Sequence, residues 1–354
     1  MKRAQIAIIG SGIIGLTAAW RLARDGHNVS VFDPTPGRGA TYAAAGMLAP
    51  VSEFAVGEEE NFSLQRDAVA RWEALSDELA DVTGHHIVVR RSGTLHVAFD
   101  ASDRRLLSQW CTVARGFDVN LKAVNRAEET GLFSGVSDRI HDGVLVDNEA
   151  WIRPDEAVAA LQAGLGTFGT EFVTEHVVRV TPSATGVRVE TTTTERSFDL
   201  MVVCTGAAPT IPGLRPEHQV RPIRGVTVRT HGLARDDAPM VRAFVRGRPF
   251  YYVGRENHHG VLGATAEEKS GPSIEVGELE RLLRDAIDIL PGLEGASLTE
   301  MRVGHRPVAQ SGVPFFEPHP EERWAASNGH YRHGVTLAPL AAQWAAAFVS
   351  EVVE

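Results

Sequence analysis

Near its start the chain places a glycine-rich turn, Gly10-Ser11-Gly12-Ile13-Ile14-Gly15, between an apolar run and an apolar-periodic segment. Gln5 to Ile9 reads as a strand buried on both faces, as in a parallel sheet. Leu16 to Arg24 reads as a helix closed by Gly26, and Asn28 to Phe32 as a second strand. A βαβ unit of this kind is the core of a dinucleotide-binding fold. Within it Gly10 permits the tight turn, Gly12 lets the backbone approach a pyrophosphate, and Gly15 allows close helix–strand packing. Free N–H groups at the helix start suit phosphate oxygens. Asp33 follows Gly15 by 18 residues, where a carboxylate can accept hydrogen bonds from the adenosine ribose. An acid there disfavours a 2′-phosphate and hence NADP; NAD and FAD both remain open.

The rest of the chain surrounds this unit. An uncharged Gly/Ala-rich segment follows Arg38, and the acidic stretch 57–61 leads into a predicted helix, Phe62 to Thr83. Residues 85–91 and 93–99, separated by Ser92-Gly93, read as a hairpin. Helices are expected over Leu106 to Phe117, after Pro154, over Leu279 to Leu290, and over the Ala-rich tail from Thr336 to Val353. A β-meander is expected over 177–204, ending in a buried strand, and one antiparallel sheet between Ile223 and Thr265. The expected class is α/β (α+β): a Rossmann-like dinucleotide-binding domain with an interleaved antiparallel-sheet substrate domain. The first takes residues 1–84, 145–222 and 304–354, and the second 85–144 and 223–303.

Composition excludes several function classes. With 45 acidic against 35 basic residues and a net charge of −10, no phosphate-tracking surface for nucleic acid is expected. The apolar stretches read as too short or too broken by Gly and charge to span a bilayer. The basic, apolar N-terminus imitates a signal peptide, but its glycines and the lack of a cleavage pattern point elsewhere. Two cysteines, Cys111 and Cys204, provide no disulfide framework, which fits a reducing cytoplasm. Cys204, in the run MVVC, reads as a buried inert thiol. No His/Cys/Asp spacing resembles a metal site.

Several separated segments together resemble the glycine oxidases of the D-amino-acid oxidase superfamily. These are Gly39 to Pro50 (GATYAAAGMLAP), Gly263-Ala264-Thr265, Gly304-His305-Arg306-Pro307, Gly329 to Gly334 (GHYRHG) and Leu337-Ala338-Pro339, in family order. The resemblance covers nearly the whole chain and implies non-covalently bound FAD. It implies backbone contacts to FAD from Ile13 and Ile14, from Asp33 and Pro34, and from Ala40 and Thr41. Further contacts are implied from Ala45, Gly46 and Met47, and from the loop His330, Tyr331, Arg332, His333, Gly334, Val335 and Thr336. Val177 is implied to reach the adenine by its backbone. The small, uncharged side chains of GATYAAAGM agree, since they suit a backbone lying against a flat ring.

For the substrate, a fixed cation is needed to hold the carboxylate, and the bidentate fork of Arg suits that task. The resemblance assigns it to Arg306 and Arg332, with Tyr251 offering its hydroxyl. Tyr252, on the opposite face of the strand, reads as core, and His305 as structural or a pocket wall. His258 and His259 read as an exposed turn, and His85 and His86 as the start of a strand. Phe250, Tyr251 and Tyr331 suggest an aromatic wall. The implied reaction is oxidation of a small amino acid by O2, with no protein base, feeding the thiazole part of thiamine. A homo-oligomer is compatible with the resemblance, and no interface is legible. Rival readings are a D-amino-acid or sarcosine oxidase, a quinone-linked dehydrogenase, and a tRNA-modifying module. Ala266, where some relatives carry a bulky Met, leaves room for a longer substrate side chain.

Overall fold

A computed structural model describes residues 3–54, 58–117 and 119–353. Its first sheet grows outward from the N-terminal apolar run. Strand β1 (Gln5–Ile9) lies between β2 (Asn28–Phe32) and β13 (Leu200–Val203), parallel to both. Beyond them come β9 (Glu171–Val173) and β20 (Trp324–Asn328), also parallel, with β19 (Phe315–His319) antiparallel at one edge. Ile6, Ala7 and Ile8 are fully buried, as expected of a strand covered on both faces. One face packs against α1 (Ile13–Arg24), α4 (Ala68–Thr83), α6 (Pro154–Thr167) and α8 (Gly334–Val353). The other is covered by the meander β10 (Val177–Ser183), β11 (Gly186–Thr191) and β12 (Glu195–Phe198), whose valines join Phe32 and Met201 in one core.

The second sheet has eight strands. In spatial order they are β18 (Ser297–Ala309), β14 (Val220–His231), β17 (His259–Gly263), β16 (Arg248–Gly254), β15 (Met240–Val245), β5 (Thr94–Ala98), β7 (Asp142–Val146) and β6 (Lys122–Asn125). Every pair is antiparallel except β15 with β5. The amphipathic helix α7 (Val276–Ile289) buries Leu282, Ala286 and Ile289 against one face, in a core that includes Phe250 and Tyr252. Pro291, opening a short 3-10 turn, follows where the sequence predicts the helix to stop. Three short strands, β3 (Met47–Leu48), β8 (Ala150–Trp151) and β4 (Arg90–Arg91), join the two halves. Three further helices are α2 (Ala40–Ala43), α3 (Glu59–Gln65) and α5 (Ala101–Arg115). Asp100 caps α5 by accepting from the Ser102 and Asp103 N–H groups, which moves its start five residues ahead of the expected Leu106.

Four expectations are corrected. Residues 85–91 and 93–99 do not form a hairpin: β4 pairs with β8, whereas β5 pairs with β15 and β7. Gly93, at φ +67°, turns the chain from one sheet to the other and donates to Glu149 O. His85 and His86 lie ahead of β4, outside any strand. The helix expected from Phe62 to Thr83 is two helices, because Phe62 packs with Phe54 and Phe117 while Trp72, Leu75 and Leu79 belong to the Rossmann core. Finally, one stretch, Tyr331–Val353, is long and apolar enough to cross a membrane by length and composition. It packs on α1, where Thr17 donates to Ala338 O at 3.0 Å, and 67% of its apolar window is buried.

Candidate active site

A cavity of about 1450 Å³ runs from the N-terminus of α1 to the second sheet. That exceeds the roughly 300–1,000 Å³ of a pocket for one drug-sized ligand. At its first end, Gly10 adopts φ +103°, and a Cβ there would lie 2.5 Å from Cys204 O. A Cβ on Gly15 would lie 1.9 Å from Gly10 O, so the turn closes only with glycine at both positions. Gly12 caps α1 without a side-chain hydrogen bond, and Gly12, Ile13 and Ile14 line the cavity with the positive end of the helix. Thr41 Oγ1 accepts from Ile13 N at 3.0 Å. Asp33 is held by Ser11 N (2.7 Å), Ser11 Oγ (3.0 Å) and Thr35 N (2.8 Å) at the cavity edge.

The middle of the cavity is bounded by the segment 40–47, pinned through its carbonyls by the second sheet. Thr227 donates to Ala43 O at 2.8 Å, Arg229 to Ala44 O at 3.1 Å and Arg255 to Ala45 O at 3.0 Å. Burial pushes both guanidinium groups down to about 10, which leaves them charged at neutral pH. Gly304 on β18 meets this segment closely, a Cβ there falling 2.7 Å from Ala43 Cβ.

The far end is built by strand register. Thr227, Gly263, Tyr251, Arg242 and His96 are successive partners across β14, β17, β16, β15 and β5, so they share one face, and the four with side chains line the cavity. Tyr251 extends over Gly263, where a Cβ would lie 2.4 Å from its hydroxyl. Burial pushes the phenol up, against the pull of Arg306 and Arg229, so it is protonated at neutral pH. Arg306 lies over Gly225 in the same manner, 2.2 Å from a would-be Cβ, and donates to Thr265 O at 3.0 Å. Arg332 donates to Glu53 O at 2.8 Å and pairs with the Glu58 carboxylate. Arg242 stands 3.6 Å from Glu53. Beside it, buried Glu149 accepts from Ser52 N at 2.7 Å and from the Ser52 hydroxyl, whose oxygen is 2.7 Å from His96 Nε2. Burial raises Glu149 to about 7 and holds His96 well below its ordinary range.

Of the residues singled out in the sequence, Arg306, Arg332, Tyr251 and most of the FAD-contact set line this one cavity. Gly15, His333 and Thr336 do not. Gly15 faces the Gly10 carbonyl, His333 is buried with Nε2 3.8 Å from Glu58, and Thr336 donates to Met47 O. Phe250 packs beside Tyr252 in the core on the opposite face of β16 and also borders the cavity, as Tyr251 and Tyr331 do. Sequence reasoning missed Arg242, Glu53, Ser52, His96 and Glu149. A lone Arg between Val241 and Ala243 in an alternating strand carries the signature of a solvent-facing position.

The cavity residues fit a bound dinucleotide. Ser327 Oγ, His305 Nε2 and His330 Nε2 are buried, line the cavity and have no hydrogen-bond partner among the described residues. Burial, with His333 adding to it, lowers His330 to about 3, so its ring is neutral.

Comparison with known proteins agrees. A family model described as FAD dependent oxidoreductase (DAO) matches residues 5–348. A putative thiamine biosynthesis oxidoreductase of Rhizobium etli is 32% identical over 343 residues, covering 96% of this chain and 94% of its own. A glycine oxidase of Geobacillus kaustophilus is 27% identical over 346 residues, covering 96% and 90%. The crystal structure of glycine oxidase from Geobacillus kaustophilus superposes with a TM-score of 0.89 at 25% identity, over 99% of this chain and 95% of the other.

Proposed function

The chain belongs to the DAO family of FAD-dependent oxidoreductases, and from that premise we propose that it oxidatively deaminates glycine or another small amine or amino acid. The products are the oxo acid, ammonia and hydrogen peroxide. The observation that carries this reading is the Arg306 guanidinium, presented to the cavity beside the neutral Tyr251 phenol on the strand that also packs against Ala43. When bound, FAD supplies the acceptor for the hydride leaving the substrate Cα and passes the electron pair to O2.

The chain's own residues bind and orient. We assign Gly10, Gly12, Ile13 and Ile14 to the pyrophosphate and Asp33 with Pro34 to the adenosine ribose. Ala40, Thr41 and Ala45 to Met47 are assigned to the ring system, Val177 to the adenine, and the cavity-facing residues of the 330–335 loop to the flavin. Arg306 grips the substrate carboxylate through its planar fork and the Tyr251 hydroxyl donates to it, so Cα is oriented before reaction. His330 and His96, held neutral by burial, add no competing cation. Similarity to glycine oxidases and to a putative thiamine biosynthesis oxidoreductase supports a role in making the thiamine thiazole.

A second reading, a D-amino-acid oxidase with a larger side-chain pocket, is favoured by Ala266, which lines the cavity and is exposed. One methylene in an apolar pocket discriminates by only about 1–3 kcal/mol, so both readings are weighed by one comparison. Peroxide release is measured as kcat/KM for glycine, sarcosine, D-alanine and D-phenylalanine under saturating oxygen. Glycine or sarcosine is expected to match or exceed D-phenylalanine; a greater than tenfold lead for D-phenylalanine ends the glycine assignment. In the same assay Arg306→Lys is expected to lose roughly 30- to 4,000-fold, the equivalent of the about 2–5 kcal/mol of a broken buried charge pair. FAD content should stay unchanged. Equal activity removes Arg306 from the substrate site.

A further inference from the structure

We propose that the cavity has a second anion subsite at Arg242, so that the preferred ligand carries a second carboxylate besides the one held by Arg306. The inference rests on the amine-oxidase reading and extends it to substrate class.

Three guanidinium groups reach the far end of the cavity, and they differ in how their donors are used. Arg332 spends its donors on Glu53 O and the Glu58 carboxylate. Arg306 spends one nitrogen on Thr265 O and turns its remaining donors to the cavity. The Arg242 guanidinium makes no hydrogen bond with any described residue, and its one ion-pair neighbour, Glu53 Oε1, stands 3.6 Å away. That separation is too long for a hydrogen bond. An Arg guanidinium carries five donors in a fork matched to a carboxylate. A charge taken out of water with those donors unmatched is costly unless a partner of opposite charge completes it. Burial is the largest influence on this group, and it lowers Arg242 from its ordinary range.

The register fixes where such a partner sits. Arg242 is one strand beyond Tyr251 and two beyond Gly263, over which the Tyr251 phenol lies. Two inter-strand steps span about 10 Å of sheet. A ligand anchored at Arg306 beside Tyr251 therefore points any extension along this row toward Arg242. Arg242 has a polar neighbour in its row: His96 is its partner on β5 and is hydrogen-bonded to Ser52, with the Trp110 ring stacked on its other side. His96 is neutral, and Glu149, raised to about 7, is largely neutral below that pH. Glu53 is the opposing charge, and a ligand carboxylate takes over the hydrogen-bonded place that Glu53 does not fill.

The test is calorimetric titration of the FAD-loaded protein at pH 6.5 with malonate, succinate and glutarate. Acetate, propionate and butyrate serve as monocarboxylate controls, and succinamate replaces the second charge by an amide. The best dicarboxylate is expected to bind roughly 10- to 100-fold tighter than its monocarboxylate and amide counterparts, the gain from a charge-assisted hydrogen bond. Arg242→Gln should abolish that advantage while monocarboxylates bind as before, and Glu53→Gln should enlarge it. Equal binding of the three ligand kinds overturns the subsite, as does an advantage that survives Arg242→Gln. Should Arg242→Gln lose FAD or fail to fold, Glu53→Gln decides alone: an unchanged or smaller advantage overturns it. Peroxide assays with glycine, iminodiacetate and D-aspartate on the same preparation separate the two readings. Dicarboxylate selectivity without turnover of any amine sinks the oxidase reading alone. Glycine turnover without that selectivity sinks the subsite alone.

Discussion

Glu149 is a carboxyl group whose chemistry departs from what its type implies. It is buried under the cavity, where Ser52 donates to it through both its backbone N–H and its hydroxyl, and burial raises it to about 7 from an ordinary 4.5. The folded state therefore holds this proton more tightly than the unfolded chain. The resulting stabilisation is complete below about pH 4.5 and is lost as the pH rises to about 7. At 1.36 kcal/mol per pKa unit the loss is roughly 3 kcal/mol. Glu149→Gln keeps a hydrogen-bonding group and removes the titration, so its stability relative to the parent should rise between pH 5 and pH 8. Denaturant midpoints of the two FAD-loaded proteins at those pH values test this, and parallel changes would show that Glu149 ionises normally. At this scale, legibility in the sequence depended on motif. Arg306, Tyr251 and Asp33 sit in ordered motifs, and all three line the cavity. Arg242 and Glu149 sit in none, since Arg242 is buried by strands distant in sequence and Glu149 by Ser52, almost a hundred residues away.

The elements place the site by leaving side chains out. Gly225 on β14 and Gly263 on β17 yield the space into which the Arg306 and Tyr251 side chains extend from neighbouring strands. Gly225→Ala would put a methyl group 2.2 Å from Arg306 Nη1, so the guanidinium must move by an ångström or more. A displacement of that size costs about 100-fold in rate. Amine turnover should fall to that extent while FAD content and thermal stability remain near the parent's. Loss of FAD or of the fold in step with activity would mean that Gly225 serves packing rather than the position of Arg306. Elements defined by local pattern were read correctly: β1 and β2 match their expected bounds, and α6 opens at Pro154. The hairpin around Gly93 was misread because local alternation cannot tell which strand will be the neighbour. The pairing of β5 with β15 joins residues some 150 positions apart in the chain. The helix over 62–83 was misread because its two apolar stretches serve different cores.

For the whole molecule, a Rossmann layer and an eight-stranded sheet meet along one cavity, and the residues proposed for FAD and substrate converge on it, Gly15, His333 and Thr336 excepted. That convergence is what the separated motifs in family order imply, whereas Arg242 and His96, brought to the far end of the cavity by sheet register, lie outside them. Cys204 also lines the cavity, but burial raises its thiol to about 12, far from a reactive thiolate. We therefore expect FAD to be held without a covalent bond: acid precipitation should leave the yellow colour in the supernatant, and colour in the pellet would contradict it. The central claim is that this cavity oxidises a small amine using bound FAD. Its most direct test is anaerobic addition of glycine or sarcosine to the yellow protein while the absorption near 450 nm, a property of free and bound flavin generally, is followed. The account predicts that this absorption bleaches and that admitting air restores it with release of hydrogen peroxide. Absorption that persists with glycine, sarcosine, iminodiacetate and D-amino acids alike would contradict it.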